Sequence, residues 1–142
     1  MNFLKLIAVA GALFLGVAPV WAETARTPSA KGATVYIISP AHGETVSGDV
    51  TVKFGLRGMG VAPAGTGKAN TGHHHLMIDG KALPAMDQPM SKKAVKHFGG
   101  GQTEVVLSLA PGMHTLQLIL GDKAHVPHEP PVVSKQITIH VK

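Results

Sequence analysis

The chain has 142 residues, no cysteine, nine histidines, and thirteen Lys and Arg against eight Asp and Glu. Without cysteine there is no disulfide frame, thiolate site or redox dithiol, so any bound metal must be held by histidine, methionine or carboxylate. The small basic excess is scattered apart from Lys92, Lys93 and Lys96, a pattern unlike a nucleic-acid-binding stripe.

A lone Lys5, an apolar run from Leu6 to Val20 and Val20-Trp21-Ala22 before Glu23 read as a secretory signal peptide cleaved after Ala22. The run is short for a spanning helix, which needs about 20 residues. Export to the periplasm without a lasting membrane anchor is therefore expected. Residues 23–32 are polar and read as a flexible leader, and residues 33–142 as a single β-sandwich domain.

The first strand is expected over Thr34 to Ser39 and stops at Pro40-Ala41-His42-Gly43. Asp49 to Phe54 is the second, with Val50, Val52 and Phe54 alternating against Thr51 and Lys53. Gly55 to Asn70, with five glycines and Pro63, reads as a long loop, and loops of that length are usually functional or disordered.

Thr71 to Gly80 carries the triple histidine. As a strand it puts His73, His75 and Met77 on one face and His74, Leu76 and Ile78 on the other. Residues two apart lie roughly 6.5–7 Å apart along a strand, so His73 and His75 can converge on one ion. That arrangement is a half-site for a transition metal, and other segments must supply the remaining ligands.

Lys81 to Gly101 is irregular, with a short helix over Ser91 to Lys96 as one option and Gly99-Gly100-Gly101 as a tight turn. Thr103 to Leu109, Ala110-Pro111-Gly112 and Met113 to Leu120 read as a hairpin. His114 shares the face of Leu116, Leu118 and Leu120 and reads as a packed structural residue. Lys123 to Pro131 holds His125 and His128 among prolines that restrict the backbone. Ser134 to Val141 is the last strand, with His140 on its polar side. Short strands separated by Gly/Pro turns imply an all-β, immunoglobulin-like Greek-key sandwich of about six or seven strands.

Loops at one end of a sandwich cluster in space, so His73, His75, His97, His125 and His128 are the candidate metal ligands. Copper is placed first and zinc second, with Met77, Met86, Met90 and Met113 as soft neighbours. The same histidines also admit a structural hydrogen-bonding role or a pH-responsive cluster. A competing reading is a non-catalytic interaction module whose loops bind a periplasmic protein or a cell-envelope ligand.

Gly72 to His75 is similar to the histidine strand of copper/zinc superoxide dismutase, but the disulfide cysteines of that family are absent. No Ser-His-Asp spacing, nucleophile elbow or paired carboxylate stands out, so the chain is read as a non-enzyme. Four longer motifs point elsewhere: Thr-Gly-His-His-His-Leu (71–76), His-Phe-Gly-x-Gly-Gln-Thr-Glu (97–104), Pro-Gly-x-His-Thr-Leu-Gln-Leu (111–118) and Gly-Asp-x-x-His-x-Pro-His-x-Pro-Pro-Val-x-Ser (121–134). From about Ser39 onward the chain resembles the small exported bacterial proteins catalogued as domain of unknown function 4399. The resemblance implies no activity, and it includes scaffold and candidate ligand histidines alike.

Overall fold

The computed structural model describes residues 25–142; the proposed signal peptide lies outside them. Nine strands follow one another: β1 (Thr34–Ser39), β2 (Thr45–Val46), β3 (Val50–Arg57), β4 (Gly60–Val61), β5 (Thr71–Ile78), β6 (Lys96–His97), β7 (Glu104–Leu107), β8 (Gly112–Gly121) and β9 (Ile137–Val141). No helix forms among the described residues, so the fold is all-β. The count exceeds the expected six or seven because β2, β4 and β6 are two-residue pieces that sequence periodicity does not register. At Ser91 to Lys96 there is a single turn, closed by the Ala94 and Val95 N–H groups on the Ser91 carbonyl, and no helix.

The strands form two sheets. One has the order β1-β3-β7, and the other β2-β9-β8-β5-β4 with β6 also paired to β5. The core lies between them. Val52 and Phe54 of β3 and Leu107 of β7 meet Leu76 of β5, Leu116, Leu118 and Leu120 of β8, and Ile139 of β9. Each comes from one side of an alternating strand, which is why period-two patterning suffices to build this layer.

The expected hairpin does not form. β7 pairs with β3 in the first sheet, whereas β8 pairs with β5 and β9 in the second. Leu107 and Leu116 therefore enclose the core from opposite layers, and Ala110-Pro111-Gly112 carries the chain across. The local turn signal is the same for either outcome; which edge captures β7 is a tertiary decision.

Residues 25–30 run along the loop at 127–130. Pro28 bridges to Glu129, and Ser29 N–H donates to the Glu129 carbonyl. The Arg26 guanidinium donates to the Pro127 and His128 carbonyls and to the Glu129 carboxylate. A guanidinium fork with that many acceptors in reach fixes an otherwise polar tail.

A second, smaller apolar cluster forms on the far side of the β5/β8 sheet, where Met77, Met90, Val95 and Ile119 pack together with Val133. It lies beneath the irregular segment that follows β5. This outer layer positions the site described next.

Candidate metal centre

Strand β5 splits its histidines between the two layers as alternation requires. His73 and His75 face outward, on the side of Met77, and all three are buried. His74 faces the core, where its ring lies 5.2 Å from that of Phe54. Both strand neighbours of β5 help to place the outward pair. On one side His75 is registered opposite His97 of β6. On the other, His73 is registered opposite Gly121 of β8.

Glycine is needed at that point. A Cβ on Gly121 would lie 2.9 Å from His75 Nδ1 and 3.1 Å from the Met90 methyl, so any larger residue would intrude on the ring. On the core side, a Cβ on Gly72 would lie 2.7 Å from the Gly121 carbonyl oxygen and 2.9 Å from His128 Cε1. Glycines inside strands mark such close approaches.

His125 arrives from the loop after β8 and takes a left-handed backbone conformation, with φ at 65°. Asp122 builds this loop. Its Oδ1 accepts the Ala124 and Val126 N–H groups at 2.8 and 3.0 Å, and its Oδ2 accepts the Thr27 hydroxyl at 2.6 Å. The His125 N–H donates to the Asp122 carbonyl, and the His125 carbonyl accepts the Met90 N–H. An aspartate that bonds to the backbone two residues on is ordinary turn chemistry. Gly121-Asp122 in the sequence carries that signal, but there it reads only as the end of a strand.

The result is a cluster of imidazoles. His125 Nδ1 lies 2.9 Å from His73 Nε2 and 3.2 Å from His75 Nε2. One nitrogen from each of these three residues falls within 4.8 Å of the others. Metal–nitrogen bonds of about 2.0–2.1 Å at tetrahedral angles put ligand nitrogens roughly 3.3 Å apart, so small side-chain adjustments bring all three onto one ion. The His97 ring packs beside the group: its centroid is 4.7 Å from that of His75 and 4.6 Å from that of His125.

Of the five candidate ligands, His73, His75 and His125 converge, His97 stacks beside them, and His128 is elsewhere. His128 is fully buried toward the core side, against Gly72, and its ring nitrogens face the carbonyls of Thr71 (3.2 Å) and Leu120 (3.5 Å). Left-handed backbone at His125 departs from the strand geometry, whereas Pro127 is bridged to Gly121 along β8 and the next ring, His128, lies on the core side against Gly72. The cluster sits on the outer face of the second sheet, at the His73–Gly121 end of the β5/β8 ladder. The long loop after β3 helps to enclose it: Ala62 N–H bonds to Gly72, Ala64 to Gly99 and Gly65 to Lys123. The other histidines stay apart. His42 accepts the Thr138 N–H, His114 pairs with Asp79, and His140 is exposed.

Burial holds the three histidine rings of β5 neutral. Burial, then the proximity of His125 and His97, lowers the pKa of His73 to about 4, while Asp122 pulls the other way. Burial and the three neighbouring imidazoles lower that of His75 to about 3. Burial alone lowers that of His74 to about 4. His97 is also lowered, by burial first and His125 second. Neutral imidazole is the form that binds metal. Among the described residues, His73 Nδ1 and both nitrogens of His74 are buried and lack a hydrogen-bond partner, while the backbones of His73 and Met90 act on His75 and His97. Buried polar atoms left without partners are rare enough to call for a ligand or another explanation.

Fold and site together define a two-sheet, all-β protein with a buried imidazole cluster on one outer face. The chain belongs to the family described as Domain of unknown function (DUF4399), whose profile matches residues 52–142. No curated protein and no solved structure matches it.

Proposed function

We propose that this protein is an exported, non-catalytic metal-handling protein. It takes up one transition-metal ion, copper ahead of zinc, through His73, His75 and His125, with His97 as the fourth donor. The observation that carries this reading is the approach of His73 Nε2 and His75 Nε2 to a single His125 nitrogen, at 2.9 and 3.2 Å. Four uncharged donors from three separate segments suit sequestration or delivery to a partner. Periplasmic location rests on the signal-like residues 1–22. The sheet orders further support an immunoglobulin-like Greek-key reading, because the first strands divide between the sheets and β2 runs parallel to β9.

The test is calorimetric titration of chelator-stripped protein with copper and zinc. One ion per chain at micromolar affinity or tighter is expected, and the His73→Ala/His75→Ala double variant should lose at least about 100-fold in affinity. Unchanged affinity in that variant, or no binding by the parent, would end the proposal. The second reading, an interaction module, is favoured by one feature. An apolar groove of about 520 Å³ runs between β1 and residues Pro131 to Ile137, lined by Val35, Ile37, Val132 and Ile137. A parent protein that binds no metal would leave that reading in place.

A further inference from the structure

Building on the metal-binding reading above, we propose that the cluster selects a monovalent ion over divalent ones, which makes copper(I) its cargo. The inference comes from charge. The converging donors are all imidazoles, which bring no negative charge to the ion. The charged side chains nearest the rings are not ligands: buried Asp122 acts on His73 and exposed Lys92 on His97, with opposite signs. Asp122 has its oxygens engaged by Thr27, Ala124 and Val126, which hold it in its loop and away from coordination.

An ion entering this site therefore keeps its full charge. The cost of removing an ion from water rises with the square of its charge, so a divalent ion loses roughly four times what a monovalent one does. A divalent ion in such a site needs an anionic ligand or a bound hydroxide to recover that loss. A monovalent ion does not.

The surroundings of the ligands point the same way. Metal-bound histidines usually donate their other ring N–H to a carboxylate or carbonyl, which makes them more basic and better partners for divalent ions. Here Nδ1 of His73 is buried without an acceptor, and the backbone of His73, the one acceptor acting on His75, is outweighed by burial. The Met90 methyl and His75 Nδ1 press on the same spot above Gly121. Imidazoles with the end of a methionine side chain packed alongside, and no carboxylate among them, form a soft environment, and softness favours copper(I).

The experiment is competition under anaerobic conditions. Copper(I) is titrated against a bicinchoninate buffer, and copper(II) and zinc(II) against chelators of matched strength, all with the purified protein. Copper(I) should bind at least about 100-fold more tightly than zinc(II), with copper(II) also weaker than copper(I). If zinc(II) or copper(II) equals or exceeds copper(I), the inference fails and the metal site stands. If none of the three binds, both fail. A second arm uses His97→Asp, which places a carboxylate at the partly exposed edge of the cluster. The ratio of zinc(II) to copper(I) affinity should rise by about tenfold or more, because negative charge now favours the divalent ion. An unchanged ratio in a variant with the parent's circular dichroism overturns the inference. If that variant does not fold, the parent's ranking of the three ions decides alone.

Discussion

The two faces of β5 place the same side chain in opposite circumstances. Outward, the ring nitrogens of His73, His75 and His125 converge, with the His97 ring packed beside them. Inward, His74 meets Phe54 in the apolar core, and neither of its nitrogens has a partner. All three are fully buried. Burial alone therefore does not make a site. What separates the faces is the number of donors aimed at one point, and that depends on how β6 and the loop after β8 are laid over one side of the sheet.

The largest effect that probes this contrast is acid sensitivity of the metal-free protein. Burial lowers His73 and His74 to about 4 and His75 to about 3. Unfolded, each would take a proton near pH 6.5, so below that value the unfolded chain binds more protons than the folded one. Their neutral packing costs nothing above pH 6.5, and stability falls as pH drops from 6.5 toward about 4. The loss is up to ~1.4 kcal/mol per pH unit for each histidine, or ~4 kcal/mol per unit for three acting together. Urea unfolding at pH 7.5, 6.0 and 5.0 measures it, and a flat profile would mean that the rings are solvated. The inward ring should supply about a third of the slope, so His74→Leu separates the faces.

Next in size is the glycine where the faces meet. Gly72→Ala pushes a methyl group against the Gly121 backbone carbonyl, the His128 ring and Leu120. Backbone cannot move aside as a side chain can, and overpacking of this kind costs about 1–3 kcal/mol. Gly121→Ala instead meets the His75 ring and the Met90 methyl. It should unfold the protein less and weaken metal binding more. Paired melting curves and metal titrations of the two variants test that crossover; equal effects on both readouts would erase the distinction.

Much of this contrast was legible in the sequence. Alternation in Thr71–Ile78 assigns His73, His75 and Met77 to one face and His74 and Leu76 to the other, as found. The first strand, Thr34–Ser39, also stands where its β-branched run places it. What was not legible is what crosses between segments. The turn at Ala110-Pro111-Gly112 has the composition of a hairpin but joins two sheets, because β3 offers β7 an open edge. His-x-x-His spacing in the loop after β8 does not reveal that His125 is left-handed while the His128 ring lies on the core side. The role of Asp122 was within reach, since its short-range turn bonds follow local rules. That these bonds aim a histidine at β5 depends on the fold.

A smaller effect with the opposite sign is expected from His74 itself. His74→Leu removes two buried nitrogens without partners and keeps a side chain of comparable bulk. Replacing an unsatisfied polar group by an apolar one should stabilise the protein by about 1–2 kcal/mol at pH 7.5. Metal affinity should stay within about twofold of the parent. A loss of affinity would show that the inward ring supports the outward ones, and the two faces would then have to be treated as one unit.

The smallest effect lies away from β5 and inverts the acid behaviour of the cluster. His114 donates Nδ1–H to the Asp79 carboxylate at 2.7 Å and Nε2–H to the Ala110 carbonyl at 2.8 Å, so only the protonated ring satisfies both acceptors. Its pKa is raised, by the Asp79 hydrogen bond first and the Ala110 carbonyl second. A raised pKa means that the folded chain holds this proton more tightly than the unfolded one. The stabilisation is complete below pH 6.5 and is lost as pH rises through the folded value. Asp79 is about half exposed, so solvent screening limits the contribution to about 1 kcal/mol. The measurement is the melting-temperature difference between the parent and His114→Gln at pH 5.5 and 8.5. Titration of the distant cluster is common to both proteins and cancels in that difference. The gap should be present at pH 5.5 and nearly vanish at pH 8.5; a gap that widens with pH would mean that His114 is held as the neutral ring.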